Sequence, residues 1–172
     1  MEYKIEILHK KEFTDLHGGR VLADILQAGI KGVKKAGYSP VYAIDGITKE
    51  EACLIGREIL SDKITETFVI AESSNAAKSC GCKEQCSGGE KAHAIEVWFK
   101  KGVTDTVSES VVKAIKDLGI DKEVKVKTGH IYYIYGVAGK QVLEKITTSV
   151  LANTLIQDYK IEAWKFGSSA AQ

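Results

Sequence analysis

The sequence predicts an α+β protein of two tandem strand–helix–strand–strand–helix–strand repeats that pair as an internal pseudo-dimer with antiparallel sheets. Two observations carry this expectation. The first is that the chain matches itself: Ile5 to Ile30 lies on Ile95 to Ile120 at a constant offset of 90 positions without a gap. The match sets Ile5-Glu6 on Ile95-Glu96, Lys10-Lys11 on Lys100-Lys101 and Thr14-Asp15 on Thr104-Asp105. Val21, Ile25, Gly29 and Ile30 then fall on Val111, Ile115, Gly119 and Ile120, and Val41-Tyr42 and Gly46 fall on Ile131-Tyr132 and Gly136. After a one-residue insertion, Leu60 to Ile70 matches Leu151 to Ile161. Two copies of one supersecondary unit can each bury an apolar face against the other. The second observation is the order of periodicities inside each copy, which switches from two to about 3.6 residues and back.

Each copy opens with an alternating run, Tyr3 to Ile7 and Ala94 to Trp98, apolar on one face and charged on the other, as a half-buried strand requires. Thr14-Asp15 and Thr104-Asp105 follow, supplying side-chain oxygens for the unpaired N–H groups of a helix start. Val107, Val111, Ile115 and Leu118 recur at helical spacing, and Gly29 and Gly119 stand where a left-handed residue closes a helix. Two extended runs come next in each copy, Gly32 to Tyr38 with Val41 to Ile44, and Val124 to Thr128 with Ile131 to Tyr135. Their breaks, at Ser39-Pro40 and Gly129-His130, fit either a hairpin turn or a bend in one long strand. A second helix starts near Thr48, whose spacing to Glu51 is that of a capping box, and its later counterpart carries Leu143, Ile146, Val150 and Leu151 on one side. Closing strands follow at Thr67 to Ile70 and Tyr159 to Trp164. This βαββαβ order is the split βαβ of ferredoxin-like folds. The expected division is a first repeat at 1–71, a linker rich in Cys, Gly and Ser at 72–92, a second repeat at 93–166 and a frayed tail at 167–172.

Composition narrows the function. Twenty-four basic against 23 acidic residues leave almost no net charge, which disfavours nucleic acid and anionic membranes as partners. No apolar run reaches the roughly 18 residues of a membrane span, and the start MEYKIEILHK lacks the features of a secretory signal, so the cytoplasm is the expected compartment. Glycine-rich phosphate loops are missing, since Gly88-Gly89 lies in the linker without the Gly-Lys-Ser/Thr ending. His9 and His17 fall opposite Phe99 and Val107, so neither is repeated, while His130 sits at the presumed turn and His93 just ahead of a strand. Glu6 and Glu96 are repeated but belong to the polar faces of strands. One loaded motif remains, Cys80, Cys82 and Cys86 in the linker, three soft ligands that would hold zinc or an iron–sulfur centre with His93 or Cys53 as a fourth. The usual two-plus-two spacing is missing, and the favoured reading is thiols in a linker with no metal.

Two stretches carry a family resemblance. EVWFKKGVTDTVSESVVKAIKDLG (96–119) and LANTLIQDYKIE (151–162) resemble the PurS family, and KKEFTDLHGG (10–19) and LSDKITETFVI (60–70) are weaker versions of the same motifs. Ser108 departs from a common family glycine, and Lys63 and Thr154 from a common proline. The resemblance implies a tandem fusion of two PurS-like repeats, similar to the front of large single-chain synthetases, either standing alone or cut from such an enzyme. It implies further a non-catalytic subunit of phosphoribosylformylglycinamidine synthase in purine biosynthesis. That subunit would bridge the ATP-dependent (PurL-like) synthetase to the (PurQ-like) glutaminase, with ATP and magnesium bound by the synthetase and no cofactor in this chain. Catalytic residues are then expected in neither repeat. The docking candidates are Lys10, Lys11 and Asp15 with Lys100, Lys101 and Asp105, although helix capping is the stronger expectation for both aspartates. Tyr133 joins them, because Tyr132, Tyr133 and Tyr135 crowd one strand and at least one ring must reach a surface. Homo-oligomers through sheet or repeat interfaces fit the same pattern. Two competing readings are a regulatory pair sensing a small metabolite and a metal or thiol protein that uses the linker.

Overall fold

The computed structural model describes residues 1–72, 92–136 and 139–164. The expected tail, the three linker cysteines and nearly all of the expected linker lie outside these residues. The first repeat runs β1 (Glu2–His9), α1 (Leu16–Gln27), β2 (Lys35–Asp45), α2 (Lys49–Ile55) and β3 (Glu66–Glu72). The second runs β4 (Ala92–Phe99), α3 (Thr106–Asp117), β5 (Lys125–Tyr135), α4 (Lys140–Ile146) and β6 (Gln157–Trp164). A π-helical turn extends α2 over Gly56–Leu60 and α4 over Thr147–Leu151.

The local signals explain the element ends. Asp15 and Asp105 cap α1 and α3, accepting from the N–H of Gly18 and Ser108 at 2.7 and 3.0 Å. Thr48 and Glu51 form the reciprocal capping box of α2. Gly29 and Gly119 follow the last helical residues with φ of 77° and 90°, a conformation that any Cβ would strain. Val111 and Ile115 are buried and Leu118 packs beside them, whereas Val107 is 49 % exposed. Helical side chains lean toward the N-terminus, so the first-turn valine points past the end of the packed stripe.

The strands form a six-stranded sheet in the order β3-β1-β2-β5-β4-β6. Exchanging each strand for its repeat partner reverses this order into itself, as a pseudo-dimer requires. β1 is antiparallel to both neighbours, in register from Glu2↔Asp45 to Glu6↔Val41 with β2 and from Tyr3↔Glu72 to His9↔Glu66 with β3.

The two extended runs of each repeat are one strand, not a hairpin. Pro40 sits just beyond the last β1–β2 pair, Glu6↔Val41, so its missing N–H costs no bond on that side. Gly129 and His130 lie within β5 in the same way, and His93 lies inside β4. Each strand of 11 residues is roughly 36 Å long, too long for one small core.

The chain accordingly packs into two compact units that change over at Ser39 and Ile131, next to the breaks expected from sequence. The first unit holds β1, α2, β3 and α3 with the end of β2 and the start of β5. Its core joins Ile5 and Ile7 of β1, Ala52 and Ile55 of α2, and Ile70 of β3 to Val111 and Ile115 of α3. The second unit holds α1, α4, β6 and most of β4, with the start of β2 and the end of β5, and its core joins Ile25 of α1 to Ile95, Val97, Ile134, Leu143 and Ile146. Sequence repeats and compact units therefore do not coincide. Each repeat sends its first helix to the core that contains the other repeat's second helix.

Candidate functional site

The loop between β4 and α3, Lys100 to Asp105, is built by two local devices. Val103 N–H donates to the Lys100 carbonyl at 3.1 Å, closing a four-residue turn, and Gly102 takes a φ of 91° that this tight turn demands. Asp105 then fixes the loop on two sides. One carboxylate oxygen caps α3, and the other accepts from the N–H of Thr128 at 3.1 Å and from its hydroxyl at 2.7 Å, joining the helix start to β5. The first repeat repeats the plan, with Phe13 N–H on the Lys10 carbonyl at 3.0 Å and Tyr38 N–H on Asp15 at 2.8 Å.

Beside this loop lies a groove of about 780 Å³ in the first unit. Its walls include Lys100, Lys101, Asp105, Ser108 and Glu109 from the loop and α3, Trp98 from β4, Glu2 and Lys4 from β1, and Lys127 and Thr128 from β5. A substitution between the repeats falls at this groove. In the first repeat Gly18 lets α1 settle onto β2, where an added Cβ would stand 2.5 Å from the Ala36 carbonyl oxygen and 2.9 Å from the Gly37 Cα. Ser108 holds the matching position in α3, and Val126 and Lys127, matching Ala36 and Gly37, line the groove there. Ser108 therefore brings a side chain to the position where α1 of the first repeat has none.

Lys4 and Trp98 cross the groove. The Lys4 ammonium stands 5.5 Å from the Trp98 ring centroid although β2 and β5 lie between β1 and β4 in the sheet. Three strand spacings of about 4.8 Å separate the two backbones, a gap that the long lysine and indole side chains span by reaching toward each other. Glu2 pairs with Lys127 at 4.0 Å. In all, four lysines and three carboxylates line the groove, with the indole as its large apolar surface. Burial foremost, and then the carboxylates of Glu66 and Asp105, push the Tyr42 phenol up, so it stays neutral at physiological pH. The groove thus sets ammonium groups beside a capped helix start and a half-buried indole.

The expected docking residues separate on this structure. Lys100, Lys101 and Asp105 come together in the groove. Lys10 is instead tied to the turn before β3, its ammonium donating to the Lys63 carbonyl at 2.7 Å and its N–H to Thr65 at 3.0 Å, while Lys11 is exposed. Asp15 is in the second unit as a helix cap. Tyr133 corrects an expectation: it is only 9 % exposed, because its ring packs on Gly37, which has no side chain to hold it off. Tyr132 and Tyr135 are the half-buried rings. Cys80, Cys82 and Cys86 lie outside the described residues, and Cys53 packs beside the first core. Among the described residues no group of three or more metal-ligating side chains is present. Trp98, Lys4 and Lys127 were not singled out in the sequence. Trp98 left a signal, since it shares the polar register of β4 with Glu96.

Fold and groove together define an α+β protein of two ferredoxin-like repeats, with a groove lined mainly by the second and in part by β1 and β2 of the first. The family model of PurS, described as phosphoribosylformylglycinamidine (FGAM) synthase, matches residues 92–165. The match spans the second repeat from β4 to β6. No curated protein matches the chain. Among the described residues no helix is long and apolar enough to cross a membrane.

Proposed function

We propose that this chain is the non-catalytic bridging subunit of FGAM synthase, joining the ATP-dependent synthetase subunit to the glutaminase subunit in the cytoplasm, with the groove beside α3 as a docking surface. One observation carries the reading: the family match covers the repeat whose Lys100–Asp105 loop builds the groove. In this reading ATP, magnesium and glutamine bind the other subunits, the chain needs no cofactor, and the linker thiols have no metal to hold. The lysines steer an acidic partner segment and Trp98 gives it an apolar anchor.

The test is reconstitution. Alone, the chain should show no synthetase, glutaminase or ATPase activity. Mixed with both other subunits, it should co-elute with them and support glutamine-dependent turnover. Reversing Lys100 and Lys101 to Glu should weaken co-elution about tenfold or more without lowering the melting temperature. Full assembly of the other two subunits without this chain would refute the bridging role.

A further inference from the structure

We infer that the groove beside α3 is a binding site for a nucleoside 5′-monophosphate, whose phosphate lies against Lys100 and Lys101 and whose base lies on the Trp98 indole. The groove joins one large aromatic ring to several ammonium groups in a single concavity. Its volume of about 780 Å³ is that of an ordinary small-molecule site.

The charge of the groove calls for an anion. Lys4, Lys100, Lys101 and Lys127 outnumber the three carboxylates of the lining, and two of those carboxylates are engaged. Glu2 pairs with Lys127 at 4.0 Å, and both oxygens of Asp105 accept hydrogen bonds, one from α3 and the other from Thr128. A phosphate monoester brings about −1.5 to −2 charges and three strong acceptor oxygens, enough to engage several lysines at once. Ammonium groups gather around it as point charges and need no fixed fork geometry.

Position divides the groove into two subsites. Lys100 and Lys101 stand on the turn that Val103 N–H closes on the Lys100 carbonyl, so their backbone is fixed before any ligand arrives. Trp98 precedes Lys100 by two residues, roughly 7 Å along an extended chain, which is the order of the span that a ribose sets between base and phosphate. The Lys4 ammonium, 5.5 Å from the indole centroid, marks the ring face that is open to a ligand. That separation is close to the outer limit of about 6 Å for a cation over a ring, so a base can take the place of the ammonium. Lys4 then keeps the reach to turn toward the phosphate of the same ligand. Every base has a flat face, so stacking on an indole names the class of ligand and leaves the base open. The first repeat lacks this combination, because Leu8 holds the position of Trp98 and Lys10 is tied to the Lys63 carbonyl.

A nucleotide would share the groove with the partner segment proposed above, and the two would exclude one another. That consequence rests on the docking reading, whereas the binding itself does not. The experiment is isothermal titration calorimetry on the full chain with AMP as the probe. One AMP should bind per chain with a dissociation constant below about 1 mM, and less tightly as salt is added. Adenosine and inorganic phosphate, each filling one subsite, should bind about tenfold more weakly or worse. Lys101→Glu, at an exposed position, should raise the AMP constant about tenfold or more with an unchanged melting temperature. Trp98→Leu, which installs the residue that the first repeat carries at this place, should raise it about as much. Inorganic phosphate that binds as tightly as AMP would reduce the site to an adventitious ion only. AMP that fails to saturate the chain, or that binds Lys101→Glu as it binds the parent, would equally overturn the inference. Because no other subunit is present, none of these results bears on the bridging role.

Discussion

Thr128 donates twice to one carboxylate oxygen of Asp105, from its N–H at 3.1 Å and its hydroxyl at 2.7 Å, whereas the matching Tyr38 gives Asp15 its N–H alone at 2.8 Å. Both aspartates are caps first, but Asp105 satisfies one more partly buried donor. Asp105→Ala should therefore cost about 2–3 kcal/mol and Asp15→Ala about 1–2 kcal/mol, the difference being the Thr128 hydroxyl left without its acceptor. Urea denaturation with unchanged m-values measures both. Equal losses would mean that the hydroxyl finds water at no cost.

The contrast between Gly18 and Ser108 gives a second expectation. A Cβ at position 18 would meet the Ala36 carbonyl oxygen and the Asp15 carboxylate, each at 2.5 Å, and neither belongs to a flexible chain end. Gly18→Ala should lower stability by about 1–3 kcal/mol by lifting α1 from β2. Ser108→Ala keeps the Cβ and loses only the hydroxyl bond to the Asp105 carbonyl at 2.8 Å, a cost of about 1 kcal/mol or less. If Gly18→Ala were as mild as Ser108→Ala, close packing would not be what separates the repeats.

What the sequence made legible was local. Asp15, Asp105 and the Thr48–Glu51 box were readable because a cap is decided within four residues, and Ile25 and Ile115 because a helical stripe repeats within a dozen. The long strands were not decided, since Pro40 and Gly129 are turn residues whose tolerance in a strand depends on where a neighbouring strand stops. Tyr133 was misplaced for a similar reason: Gly37, the residue that lets it bury, lies on another strand. The groove depends on which helix lies against which strand, and so on packing between segments distant in sequence. Its traces in the sequence were the Lys100–Asp105 motif, Trp98 in the polar register of β4 and Ser108 in place of a glycine.

The exchange of first helices predicts how a separated repeat behaves. Residues 1–72 alone contain β1, α2 and β3 but lack Val111, Ile115 and Ile120, which complete their core. Deprived of α3, that core would expose the apolar side of α2, so the fragment should be a dimer that exchanges its own first helices, or else unfolded. Circular dichroism with size-exclusion chromatography distinguishes these from a folded monomer, which would contradict the exchange. In the full chain, Ile115→Asp sets an unpaired charge at a fully buried position and should abolish cooperative folding, since the several kcal/mol it costs rival the roughly 5–15 kcal/mol total of a typical domain.

The last expectation concerns acid. Glu51 closes the capping box by accepting from Thr48 N–H at 2.7 Å, and it also accepts from the Lys122 ammonium at 2.5 Å. The Lys122 bond foremost, then the Thr48 N–H, hold its carboxyl below the usual glutamate value of 4.5. A group whose folded value is depressed binds protons more readily when unfolded, so its stabilisation is fully present above about pH 4.5 and is lost as pH falls through the folded value. The pair is partly exposed, with Glu51 and Lys122 side chains at 26 % and 38 %, which limits the effect to about 1 kcal/mol or less. Glu51→Gln keeps an acceptor for Thr48 but cannot titrate. Measured from about pH 6 to about pH 3, the urea midpoint of the parent should therefore fall further than that of Glu51→Gln, and the gap between them should narrow toward the acid end. Parallel curves would show that Glu51 titrates alike in folded and unfolded chains and that Lys122 contributes no stability through it.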